Sequence, residues 1–232
     1  MKKIFFSLSI FVLTFALLSC SPSLNILMKE NNSTELNFSI TNTESFYSNF
    51  SAFMDFSEED FYNKDSLKLS LEDLGFTDIF IQTDKNTDIK INGQIENQNF
   101  IDTENPLSTL ISINEDNFTI TINPTNIIEI LCTIPEITDY LDLLMAPIYT
   151  GEELSETEYL ELFASVYGES FAQDFEKTNL CISVQTLKNI KDVESSNSNL
   201  FDINYKNKTV YIQIPLYKLL CYNEINFLKI KF

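Results

Sequence analysis

Apolar residues recur at two periods along this chain, and the periods change in an order that predicts its elements. In residues 36–41 Leu36, Phe38 and Ile40 alternate with polar neighbours, as a half-buried strand requires. Phe46, Phe50, Phe53 and Met54 then follow at helical spacing, with Asn42 or Thr43 available as an N-cap. A second helical stretch, 66–74, places Leu67, Leu71 and Leu74 on one stripe and stops at Gly75. Residues 77–83 and 87–95 read as a hairpin, and 107–113 with 118–123 as another strand pair that Pro124 ends. Residues 126–144 carry helical spacing with a break before Pro135, and 155–175 open on the capping box Ser155-x-x-Glu158 and are interrupted near Gly168. Beyond them 180–187, 201–205, 209–214 and 225–232 return to strand periodicity, with a short helical turn at 216–221 and a Ser/Asn loop at 195–199.

Strands apolar on one face and helices apolar on one stripe predict an α+β fold: an antiparallel sheet with helices packed on one face, in two layers. The order strand, helix, strand, strand occurs over 36–95 and again over 118–214, which suggests a duplicated unit.

The start of the chain follows neither period. Lys2 and Lys3 precede an apolar run, 4–18, that leads into Leu17-Leu18-Ser19-Cys20. Fifteen residues broken by Ser7, Ser9 and Thr14 are too few to span a bilayer. The four-residue ending resembles the lipobox of bacterial lipoprotein precursors. That resemblance implies cleavage before Cys20, acylation of its thiol and an extracytoplasmic body held to a membrane of the bacterial envelope. It divides the chain into a signal peptide (1–19), a lipidated N-terminus with a flexible tether (20–34) and one α+β domain (35–232). Residues 21–33 are rich in Ser and Asn, and a chain beginning near Asn31 is expected to fold alone as a monomer.

Composition narrows the chemistry. There is no His and no Trp, and all fifteen basic residues are Lys. Without His the chain has no imidazole base, no Ser-His-Asp or Cys-His pair and no His-bearing zinc site. Without Arg it has no bidentate fork for phosphate. The formal net charge of −19 opposes nucleic acid, whose binding rests on cations meeting phosphates. Residues 188–232 reverse the balance with seven lysines against four acids, and are expected to pack against the acidic body.

Few residues suggest a site. Cys132, Cys181 and Cys221 each sit among apolar neighbours and read as reduced core positions, with a single disulfide between two of them as the alternative. Asp84-x-Asn86-x-Asp88 resembles the opening of a calcium-binding loop, although Ile89 and Ile95 occupy its sixth and twelfth positions. Glu152, Glu153, Glu156, Glu158 and Glu161 crowd a helix start, where negative charge is favourable. The expectation is therefore an anchored envelope lipoprotein that binds or interacts, with no catalytic residues and no cofactor. One alternative is a carrier of a lipid or other apolar ligand, in a cavity lined by Phe46, Phe50, Phe163 and Phe171. The other is a carboxylate- or metal-dependent enzyme.

Overall fold

The computed structural model describes residues 22–40, 64–84, 88–125, 144–222 and 224–232. The predicted helices over 46–54 and 126–144 lie outside them, except for Leu144, which is in a turn.

Eleven strands within these residues form two sheets, where the sequence patterns suggested one. The larger has seven strands in the spatial order β3-β4-β2-β1-β7-β10-β9: β1 (Ser23–Met28), β2 (Ser33–Ile40), β3 (Phe76–Asp84), β4 (Asp88–Glu96), β7 (Asn179–Gln185), β9 (Asp202–Lys206) and β10 (Thr209–Pro215). Its pairs are antiparallel except β1 with β7. The smaller has the order β5-β6-β11-β8: β5 (Ile111–Ile113), β6 (Asn117–Ile122), β8 (Asp192–Ser195) and β11 (Asn226–Lys231). The chain is a mixed α+β protein in which strands predominate.

The tether expectation is overturned. Residues 23–28 form a strand in the middle of the larger sheet, with β2 on one side and β7 on the other. Leu24, Ile26 and Met28 alternate as strand residues do, and Ile26 is buried. Serine and asparagine on the other face disguise the strand as linker, because the period-two signal is only three residues long and Leu27 blurs it. The domain therefore includes residues before 35.

The predicted strand over 107–113 is also shortened. Asn105 caps a 3-10 turn at Pro106–Thr109, its side chain accepting from the Leu107 amide, and only Ile111–Ile113 is extended. Proline is suited to the first position of such a turn, since its missing N–H has no partner to lose. Strand β8 carries no strong alternation, and its sequence predicts no element.

Five helices complete the described chain: α1 (Lys64–Asp73), the single turn α2 (Pro147–Thr150), α3 (Glu156–Tyr167), α4 (Glu169–Glu176) and α5 (Leu216–Cys221). Helix α1 buries Leu67 and Leu71 and ends at Gly75, whose φ of 91° and close approach to the Asn99 side chain both favour a residue without Cβ. Both halves of the Ser155–Glu158 capping box are present, and Gly168, at φ 89°, separates α3 from α4 where the sequence marks a break. One apolar cluster joins both sheets and the helices, with Val184, Val210, Leu228, Ile230 and Phe163 wholly buried.

Candidate binding cleft and the residues singled out by sequence

Strand β1 runs from Ser23 at one end of the larger sheet to Met28 at the other. At the Met28 end five chain segments converge around a cleft of about 330 Å3. Met28, Ile113 and Phe232 form its inner wall, and Ile101 and Leu187 stand at the mouth, 66% and 40% exposed. Lys29, Glu30, Glu115 and Lys188 bring charge to the rim.

Local hydrogen bonds hold that rim in place. Asn32 takes φ 61° in the β1–β2 turn, a conformation asparagine tolerates better than most residues. The turn is clasped by the buried Asn97, whose amide donates to the Asn32 carbonyl at 3.0 Å while its side chain accepts from the Thr34 hydroxyl at 2.7 Å. Lys188 donates to the Glu115 carbonyl at 2.9 Å and faces the Asp116 carboxylate at 3.7 Å. Lys29 is ion-paired with Glu35; that lysine, together with the Asn37 amide, holds the Glu35 carboxyl below its ordinary range. Chemically, the cleft offers an apolar interior under a rim of mixed charge.

A second depression, about 440 Å3, lies along α3 and α4. Leu160, Ala164 and Ala172 line it with Glu161, Glu169 and Glu176. Among the described residues no group of three or more Cys, Asp or Glu side chains is placed to hold a metal ion.

The residues read from sequence are dispersed. Cys20, Cys132, Asn86 and the side chain of Asp84 lie outside the described residues, so the calcium-loop resemblance rests on Asp88 alone, half-buried at the start of β4. Cys181 and Cys221 are free thiols, each half-buried rather than deep in the core. Cys181 alternates with Leu180 and Ile182 and so faces away from the core; the apolar neighbours that suggested burial point the other way. Burial pushes its thiol up. Burial, with Glu156 nearby, pushes the Cys221 thiol up to about 12.

Phe163 does not line an open cavity with Phe171: the two rings stack at 5.6 Å, and Phe163 stacks on Phe175 at 4.5 Å. Phe46 and Phe50 lie outside the described residues. Beside the cluster the fully buried Tyr159 donates its hydroxyl to the Leu144 carbonyl at 3.0 Å, and burial holds its phenol well above the ordinary range.

The acidic run at the start of α3 has local partners. Glu158 accepts from the Ser155 amide at 2.8 Å, and its carboxyl is lowered by the Ser155 side chain and then by that amide. Glu156 meets Lys218 at 3.3 Å and accepts from the Tyr222 hydroxyl at 3.4 Å. Lys231 pairs with Asp192 and Glu194. Several C-terminal lysines thus meet acids, while Lys206 and Lys208 flank the exposed β9–β10 turn.

Sequence reasoning missed the cleft because its walls come from distant segments. Its one local signal is Ile101, which with Phe100 forms an apolar pair in an Asn- and acid-rich loop. No protein-family model and no curated protein matches the chain.

Proposed function

We propose that this chain is a lipid-anchored protein of the bacterial envelope that acts by binding, held to the membrane through Cys20 and offering the cleft at the Met28 end of β1 to its ligand. The observation that supports it is the position of β1. Pro22 is buried and the strand begins at Ser23, so only residues 21 and 22 separate Cys20 from the centre of the larger sheet. Fully extended, residues 20–22 reach roughly 10 Å, which would seat the Ser23 end of the sheet against the bilayer. The six residues of β1 then carry the cleft roughly 17 Å further out. A lipid on Cys20 would orient the body as well as retain it.

Cell fractionation of a Cys20→Ala variant tests the anchor. The wild-type protein should sediment with membranes and incorporate a fatty-acid analogue, and the variant should do neither. A variant that remains wholly membrane-bound overturns the anchor.

Within this proposal the protein is an extracytoplasmic monomer without enzymatic activity or nucleic-acid partners, in keeping with its lack of His and Arg and its net charge of −19. The helices are proposed to form one layer over the apolar face of the larger sheet, since their buried stripes belong to the same apolar cluster as that face. The proposed duplication rests on element order alone, since β2, β3 and β4 share the larger sheet whereas β6, which opens the second stretch, pairs in the smaller one.

A second reading, a carrier of a small apolar ligand, is favoured by Ile101 and Leu187 standing exposed over the apolar interior of the cleft. A fluorescent fatty acid should bind the wild type and bind Leu187→Asp at least tenfold more weakly. Equal binding removes this reading.

A further inference from the structure

Among the described residues one face of the larger sheet is buried, and the other is open and polar. On the open face strand register places Phe80, Asn92, Asn37, Asn25, Ser183 and Tyr211 in a single row, one residue from each of six neighbouring strands. None of the six residues of the row is charged, in a chain whose formal net charge is −19, and the carboxylate that touches it, Glu35 on the Asn37 amide at 3.0 Å, is ion-paired with Lys29. Its centre is ordered by the Ser183 hydroxyl, which donates to the Asn25 side chain at 2.6 Å.

Two features of the row run against stability. Asparagine is among the least favourable strand residues, yet three adjacent strands present it here. Phe80 and Tyr211, near the two ends, are each 57% exposed. The exposure of Phe80 depends on an irregularity: the register shifts between Thr77 and Phe80, where Asp78 takes φ 51°. Strict alternation from Thr77 would turn Phe80 toward the core, and the extra residue of this bulge turns it out. A backbone conformation that aspartate adopts at some cost thus delivers an aromatic ring to the solvent.

We infer that this open face binds a neutral glycan laid across the strands. Side-chain amides and hydroxyls both donate and accept, which matches the hydroxyl groups of a sugar. Exposed aromatic rings offer flat apolar surfaces to the C–H faces of pyranose rings. A polyanionic ligand finds no cation along the row, and a lipid finds amides between the two rings where it needs continuous apolar surface. A peptide adding as a strand would take a sheet edge and leave this face unused. The sheet twists by roughly 20–25° per strand, so a ligand spanning the row winds with it. The site is separate from the distal cleft and does not depend on the lipid.

Native affinity electrophoresis of the full chain in detergent tests the inference, using gels cast with a neutral β-glucan, a neutral mannan, a soluble N-acetylglucosamine polymer or anionic polygalacturonate. At least one neutral polymer should retard the protein, with little change on raising the salt. Tyr211→Ala and Asn25→Asp should each weaken that retardation at least tenfold while keeping the wild-type circular dichroism spectrum. Asn37→Asp replaces either variant if it misfolds. Retardation by polygalacturonate alone, retardation by none of the polymers, or retardation unchanged in the variants overturns the proposal.

Discussion

The Ser183 hydroxyl reaches the side-chain oxygen of Asn25 at 2.6 Å, across the parallel pair formed by β7 and β1. These residues lie 158 positions apart, and their strands are the junction of the larger sheet. On one side of it stand β2, β4 and β3; on the other, β10 and β9. The first described strand of the chain joins these two sets.

Removing that strand should therefore prevent folding. A chain shortened to begin at Asn31 leaves one edge of β2 and one of β7 without their ladder partner. It should show no cooperative unfolding transition, contrary to the expectation drawn from sequence. Ile26→Ala in the full chain, at a position 1% exposed, should cost about 2–5 kcal/mol by urea denaturation. A loss below about 0.5 kcal/mol would contradict the central placement of β1.

Tyr159→Phe keeps the ring and deletes the hydroxyl that satisfies the Leu144 carbonyl. Leaving that buried acceptor unpaired should destabilise the protein by about 1–3 kcal/mol, read as a lower denaturation midpoint with an unchanged slope.

The Cys221 thiol gives stability an alkaline limit. Its folded value of about 12 lies above the ordinary thiol value of 9.0, so the folded state holds its proton where the unfolded chain has released it. Its contribution is complete below pH 9 and declines as pH rises toward 12. Wild type should lose more stability between pH 9 and 11 than Cys221→Ala does, and parallel pH profiles would contradict the shift. At pH 8 Cys221 should react with an alkylating reagent far more slowly in the native protein than after denaturation.

Ser155→Ala should cost about 1 kcal/mol, since the hydroxyl satisfies the Glu158 amide at the start of α3. Glu158, whose carboxyl is lowered by Ser155, contributes stability present above its unfolded pKa and lost as pH falls through its folded pKa. A Glu158→Gln variant should therefore show a shallower loss of stability below pH 4.5 than the wild type. Equal acid profiles would mean that the capping contact is not populated in solution.

How much of this was legible beforehand depended on whether a feature was local. Leu67, Leu71 and Leu74 ending at Gly75, the Ser155–Glu158 box and the break at Gly168 each lie within a few consecutive residues. Helix caps and stripes are made by neighbours in the chain, so sequence spacing reports them directly. Strand β6 and hairpin β9–β10 were legible for the same reason, through simple alternation.

Sheet membership was not legible, because strand pairing joins residues with no fixed separation. The Ser- and Asn-rich start of the domain looks like linker until β2 and β7 are found on either side of it, and Cys181 looks buried until its strand shows which face is inward. The Asp78 bulge reverses the face of Phe80, which unbroken alternation would have placed inside. The distal cleft and the row through Asn25, Asn37 and Ser183 each draw residues from segments far apart in the chain. Sequence alone determined the charge, the missing imidazole and guanidinium groups and the periodicity of most elements, all of which are properties of residues and their near neighbours. Tertiary structure decided which surfaces those elements share, because each contact depends on where a distant strand comes to rest.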